Sequence, residues 1–356
     1  MNSTEFGQLQ AAVLAMEAAD FSRPAALATI TRTRGSTFRH AGVRMLVHAD
    51  GEVVCALSGG CPQRDIVERA RRAINDGCVR IARYGRDESL DVLIEMGCGG
   101  ELEVLIEPLR RREHAGFLHA VAHALAQRRG GWIATVFDES GADAPQRVRH
   151  IVYAHEVLWD DSGDAEFAAR AAAVAETVRQ GSAVCVAHDA MSVLIEKFAP
   201  PPLLVLIGVN AVSLALANVA ATLGWKSVLV AETDEEGATL VLPNGCERRV
   251  ATPAQSCALP CDAHCAMVAM TFNLERDIAW LRALCEAPFG YLGAIGSRER
   301  SARLRAACPQ VRLFAPAGLD LGADDPGEIA LSIAAEIVAR RHARDGASLS
   351  VGEAAR

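Results

Sequence analysis

A chain of 356 residues with a formal net charge of −8 is long enough for two domains with cores of their own, and its acidity argues against a nucleic-acid surface. Its 51% hydrophobic and 22% charged residues are an ordinary globular balance. Eleven cysteines, scattered without regular spacing, argue for reduced thiols in a cytoplasmic protein rather than a secreted disulfide scaffold. No signal peptide is expected, since no basic region precedes an apolar core at the N-terminus.

Residues 5–18 have the pattern of an amphipathic helix, and Ala26 to Thr31 that of a strand. Thr33-Arg34-Gly35-Ser36-Thr37 follows as a donor-rich turn flanked by Arg32, Arg39 and Arg44, suited to holding a phosphate or standing as a solvated loop. Val43 to His48 and Val53 to Leu57, around Ala49-Asp50-Gly51, predict a hairpin. The stretch Ser58-Gly59-Gly60-Cys61-Pro62 then joins strand to helix. Ile66, Val67, Ala70, Ala73 and Ile74 recur at helical spacing, and Gly77 is placed to end that helix. Pro62 suits the first helical position, which leaves Cys61 at the N-cap. There the helix dipole favours a thiolate, a nucleophile or soft-metal ligand; a small buried residue in a tight turn is the structural alternative. Gly59 and Gly60 let a ligand approach the backbone closely.

A strand at Leu90 to Glu95 leads into Met96-Gly97-Cys98-Gly99-Gly100, a second cysteine in a glycine turn, and Leu102 to Glu107 is a further strand. Residues 131–199 read as a degenerate second copy of the first part. Ala134-Thr135-Val136 echoes Ala28-Thr29-Ile30, and Val148-Arg149 with Ile151-Val152 echoes Val43-Arg44 with Leu46-Val47. Val193-Leu194-Ile195-Glu196 matches Val92 to Glu95 and Val104 to Glu107 equally well, and Asp161-Ser162-Gly163-Asp164 stands where the first copy has Ser58 to Cys61.

After Pro200-Pro201-Pro202, the run Leu203 to Ile207 predicts a strand buried on both faces, as in a parallel sheet. Gly208 and Asn210 interrupt the apolar stretch, so strand, turn and helix (about Val212 to Leu223) fit better than a membrane span. Ser227 to Val230 follows, with Glu232 and Asp234 placed for a ribose. The dinucleotide fingerprint is damaged, because Asn210 and Ser213 occupy its second and third glycine positions. Ala266 to Met270 and Tyr291 to Ile295 are further strands, Gly296-Ser297-Arg298 opens a basic helix with anion-binding potential, and Asp325-Pro326 begins a helix to about Arg340. Cys257, Cys261, His264 and Cys265 match no standard metal-cluster spacing. The expected architecture is α/β: a mixed domain over residues 1–199, a Rossmann-like domain over 200–345 and a flexible tail over 346–356.

On these residues the chain resembles the XdhC/CoxI family. The resemblance rests on Arg34-Gly35-Ser36-Thr37, Gly42 to Val47, Ser58-Gly59-Gly60-Cys61, Gly97-Cys98-Gly99-Gly100, Ile295-Gly296-Ser297-Arg298 and Gly318-Leu319-Asp320-Leu321-Gly322-Ala323. It implies a molybdenum cofactor chaperone, without turnover of its own, that protects the cofactor, presents it for sulfuration and delivers it to an apo hydroxylase of the xanthine dehydrogenase type. It further implies a homodimer, a cysteine desulfurase as a further partner, and no metal of its own beyond contact of Cys61 with cofactor molybdenum. The expected cofactor-binding set is Ser58, Gly59, Gly60, Cys61, Arg34, Gly35, Ser36, Arg44, Cys98 and Gly99, with Gly208, Asn210, Glu232, Gly296, Ser297 and Arg298 as a nucleotide-like loop set. Micromolar binding needs about 8 kcal/mol and a helix dipole supplies about 0.3–1 kcal/mol, so arginines such as Arg34 or Arg44 must share the load. Two departures from the family pattern stand out: Gly208-Val209-Asn210-Ala211 where many relatives have Gly-x-Gly-His, and Phe272-Asn273 where many have His-Asp. An NAD(P)-dependent oxidoreductase on the C-terminal half, or an accessory subunit that only docks on a hydroxylase, are the competing expectations.

Overall fold

The computed structural model describes residues 3–57, 60–85, 92–93, 100–138, 148–163, 165–178, 183–188, 191–310 and 312–348. The chain divides into two compact units, Met1–Pro200 and Pro201–Arg356.

In the first unit α1 (Ser3–Ala18) leads into β1 (Ala25–Arg34), β2 (Arg44–His48), β3 (Val53–Val54), α2 (Gly60–Asp76), β4 (Arg80–Gly85), β5 (Val92–Leu93) and β6 (Glu101–Leu109). The strands form one sheet in the order β3-β2-β1-β6-β4-β5. The chain then repeats itself with α3 (Gly116–Ala126), β7 (Gly131–Asp138), β8 (Arg149–Tyr153), β9 (Val157–Asp160), α4 (Ala165–Thr177), β10 (Ala183–His188) and β11 (Met191–Phe198). Their order, β9-β8-β7-β11-β10, is that of β3-β2-β1-β6-β4, so the two sheets share one topology.

Alternation along β1 explains the layering. Ala26, Ala28 and Ile30 face outward under Ile66, Ala70 and Ala73 of α2, while Ala25 and Leu27 face inward. The inward cluster joins both sheets, packing Leu27, Leu46 and Leu109 with Ile133 and Val152 and with α1 and α3 residues such as Leu9 and Phe117. α4 covers the outer face of the second sheet through Phe167, Ala171 and Ala175.

Strand register decides one detail that the sequence leaves open and corrects another. Leu27 pairs with Glu107 and Ile133 with Glu196, so Val193 to Glu196 corresponds to Val104 to Glu107 rather than to Val92 to Glu95. Thr29 pairs with Arg44 and Thr135 with His150, so His150, not Arg149, stands where the first copy has Arg44. A one-residue slip exchanges the faces of a strand. Accordingly Arg149 is exposed and His150 is buried.

The second unit runs β12 (Leu203–Ile207), α5 (Ala211–Thr222), β13 (Lys226–Ala231), β14 (Cys246–Val250), β15 (Cys265–Ala269), α6 (Leu274–Ala283), β16 (Tyr291–Ala294), α7 (Arg298–Ala307) and α8 (Pro326–Arg341). All its strand pairs are parallel, in the order β14-β13-β12-β15-β16. The order reverses between β12 and β15, the Rossmann switch point. Both faces of β12 are buried: Leu204 and Leu206 pack with α5 and α8 residues, Leu203, Val205 and Ile207 with α6 and α7 residues. Among the described residues no helix is long and apolar enough to cross a membrane.

Candidate functional site

Antiparallel pairing carries the C-terminal end of β1 and the start of β6 to one end of the first sheet, with Arg34 opposite Glu101. The end of β4 arrives there too, since Tyr84 pairs with Leu102. α2 runs back along the sheet before β4, so its first turn lies at this same end, where the Tyr84 hydroxyl donates to Asp65 Oδ2 at 2.8 Å. The Arg34 turn and Gly100, the residue before β6, are in contact, because a Cβ placed on Gly100 would fall 2.1 Å from the Ser36 carbonyl oxygen. Gly35 has φ +69°, a left-handed position that costs glycine little. Arg34, Gly35 and Ser36 are all exposed.

α2 begins at Gly60, earlier than the sequence predicts, which sets Cys61 and Pro62 inside the first turn rather than at the cap and the position after it. Pro62 does no harm there, because the first four N–H groups of a helix have no intrahelical partner. Ser58, Gly59, Cys98 and Gly99 lie outside the described residues, as does the Cys61 side chain.

The arginines separate sharply. Arg34 is exposed and makes no ion pair among the described residues. Arg32 is held by Glu103 Oε1 at 2.9 Å and Ser192 Oγ at 2.8 Å, and Arg39 by Glu5 Oε1 at 2.7 Å. Arg44, expected to contact the cofactor, is instead sealed inside: its side chain is 0% exposed and donates to Glu196 Oε1 at 2.7 Å. Position on β2 explains the correction, because the residue opposite Thr29 points between the two sheets.

The sequence reading missed a reciprocal arrangement. Arg44 of the first copy pairs with Glu196 of the second, while His150 of the second copy, in the place of Arg44, pairs with Glu107 of the first at 3.0 Å. Glu107 and Glu196 occupy matching positions. The His150 ring stacks on Phe117 at 3.7 Å, and its Nδ1 lies 3.2 Å from Thr135 Oγ1. The signal for the pairing was the duplication itself, once read in register.

In the second unit Gly208, Asn210, Glu232, Gly296, Ser297 and Arg298 do gather at the carboxyl ends of the strands, but most are already engaged. Asn210 caps α5, its Oδ1 accepting from the N–H groups of Val212 and Ser213 at 2.9 and 3.0 Å, and its Nδ2 donates to the Met270 carbonyl at 2.7 Å. Those amides are the ones a pyrophosphate would use. Gly208 has φ +107°, and a Cβ there would meet the Met270 carbonyl at 2.8 Å. Glu232, expected at a ribose, faces Arg276 at 3.2 Å and Trp280 Nε1 at 3.4 Å. Ser297 caps α7 through the Arg300 N–H, and Arg300 reaches the fully buried Asp277 at 2.6 Å. Arg298 and Asp234 are exposed. Phe272 is 65% exposed with φ +57°, an uncommon conformation for a non-glycine residue.

Cys257 is exposed in a short turn of helix, Cys261 is half-buried, and Cys265 is buried at the start of β15. Among the described residues no group of three or more His, Cys, Asp or Glu could hold a metal ion.

The model of the XdhC and CoxI family matches residues 18–85, and that of the XdhC Rossmann domain matches residues 204–337. A Bacillus subtilis (strain 168) protein named as a probable xanthine dehydrogenase subunit is 27% identical over 324 residues, covering 89% of this chain and 93% of that protein. The molybdenum cofactor insertion chaperone PaoD of Escherichia coli (strain K12) is 25% identical over 341 residues, covering 92% of this chain and 86% of its own. A crystal structure described as a xanthine dehydrogenase from Bacillus halodurans has the same fold, with a TM-score of 0.73 at 23% identity over 98% of each chain.

Proposed function

This chain belongs to the XdhC and CoxI family, and we propose from that premise that it is a cytoplasmic molybdenum cofactor chaperone for a hydroxylase of the xanthine dehydrogenase type. The cofactor is its cargo: a phosphorylated pterin whose dithiolene carries the metal. The observation that carries the reading is the meeting, at one end of the first sheet, of the exposed Arg34 turn, Gly100 and the first turn of α2. Arg34, the Ser36 hydroxyl and backbone N–H groups are hydrogen-bond donors suited to a phosphate. Cys61, placed where helix N–H groups favour an anion, and Cys98 would supply soft sulfur ligands to the metal end.

In this reading the protein shields the cofactor from water, presents it for sulfuration by a cysteine desulfurase and passes it to the apo hydroxylase, acting as a homodimer. The dinucleotide-dependent alternative is disfavoured by Asn210, whose side chain already takes the α5 amides.

The test is to purify the protein, oxidise any pterin it releases and measure the fluorescence of the product. Wild-type protein should carry pterin and activate an apo hydroxylase, and Cys61→Ser should lose cofactor retention about tenfold or more while keeping its melting temperature. Undiminished retention by Cys61→Ser would remove the thiol from the site.

A further inference from the structure

At the other end of α2 from Cys61, a cavity of about 810 Å³ opens within the first unit, lined by Gly77, Glu107, Arg110, Arg111, His150 and Asp161 among others. α2 has 17 residues, which sets the two ends about 24 Å apart. One cargo held at the Cys61 turn therefore does not account for this cavity.

Its chemistry is two-sided. Glu107 is 6% exposed; Oε2 accepts from His150 Nε2, while Oε1 is buried with no hydrogen-bond partner. A buried carboxylate oxygen without a donor costs about 1–3 kcal/mol or more, so such groups are normally met by water or a ligand. Arg110 and Arg111 are exposed at the rim, where Glu113 also lines the cavity and lies 3.9 Å from Arg111 Nε. Arg110 is laid against Gly77, where an added Cβ would fall 2.6 Å from its Nη1. Asp161 Oδ1 is engaged by the His150 N–H at 2.5 Å, which fixes the loop that carries it. The volume falls within the range usual for small-molecule sites.

We propose that this cavity binds a phosphorylated heterocycle with an amide-type N–H edge, the Glu107 carboxylate turning to present its unpartnered Oε1 to the N–H and the phosphate held by Arg110 and Arg111. That chemistry is shared by guanine nucleotides and by phosphorylated pterins. The site is separate from the one proposed around Cys61 and does not depend on it.

Calorimetric titration of the full chain distinguishes the sources, with GMP, a phosphorylated pterin, guanosine and inorganic phosphate as probes. At least one phosphorylated heterocycle should bind saturably, at least tenfold tighter than guanosine or phosphate, and the tighter of the two names the source. Glu107→Gln should weaken that binding about tenfold or more. The exposed Arg110→Ala should do the same for the phosphorylated probe and leave guanosine unchanged, a comparison that survives even if Glu107→Gln folds poorly. Cys61→Ser should bind the probe as the wild type does, whether or not it retains molybdenum cofactor. The proposal is overturned if neither phosphorylated probe binds, if phosphate alone binds as tightly, or if Arg110→Ala changes nothing.

Discussion

The two copies in the first unit place a basic side chain at the same register position and give it a carboxyl group from the opposite copy, yet the outcomes differ. Arg44 fills its position, sealed from water against Glu196, with its guanidinium 5.7 Å from the Phe117 ring. His150 is shorter, stacks flat on that same Phe117, and borders an open cavity with Glu107. Each carboxylate keeps one buried oxygen without a partner, Glu196 Oε2 and Glu107 Oε1; one copy closes the space between the sheets with a long fixed charge, while only the other leaves a cavity beside its carboxylate. A duplicated fold thus yields one structural lock and one candidate binding site from matched positions. The lock binds the copies together because each pair takes one partner from each.

Removing the lock should have the largest effect. Arg44→Met strands the buried Glu196 charge and is expected to destabilise the first unit by about 3–5 kcal/mol in denaturant titration. Arg44→Met combined with Glu196→Leu should recover most of that loss, since an apolar pair replaces a buried ion pair at little cost. If the double variant is as unstable as the single one, the pair is not an independent lock.

His150→Arg makes the second copy imitate the first. The longer side chain should intrude on the cavity and cost about 1–3 kcal/mol through overpacking. GMP or phosphorylated pterin binding should fall about tenfold or more in the same variant. Full binding by His150→Arg would show that side-chain length is not what separates the copies.

Much of this arrangement is legible in the residues alone. The apolar run Leu203 to Ile207 is β12 residue for residue, and the α2 pattern through Ile66, Ala70 and Ala73 marks its buried face. β14 escapes such a reading because its Glu247, Arg248 and Arg249 look like loop residues; it is an edge strand whose side chains remain half in water. α6 is hidden by its charged first turn, and only Asn273 as a cap, with Asp277 and Trp280 inward, shows why it forms. Arg34 and Arg44 look equivalent as phosphate donors, and nothing local separates them. Burial does, and burial here depends on a sheet formed a hundred residues later. The echo of Arg44 falls one residue early, at Arg149, because hydrophobic matches alone cannot tell which face a strand residue takes.

The smallest expected effect is a pH dependence. His48, at the end of β2, and His114, just before α3, have pKa values below the ordinary 6.5, chiefly because burial disfavours the charged ring, with Arg23 and Arg111 respectively adding to the shift. Below pH 6.5 the unfolded chain takes up protons that the folded chain still refuses, so stability falls as pH drops from 6.5 through the two folded values. Asp76, which closes α2, acts lower: hydrogen bonds from Arg80 and from the Cys78 amide hold it at about 2 against an ordinary 3.8, and its contribution is lost only between those values. Thermal melts should therefore show a first decline that sets in as pH falls below about 6.5 and a second that sets in below about 3.8. Asp76→Asn should shrink the second decline, to which the likewise lowered Asp50 and Glu235 also contribute, and leave the first. His114→Gln should flatten only part of the first, because His48 and His342, also lowered by burial, titrate independently of it; complete flattening by that single change would mean that the acid response belongs to His114 alone.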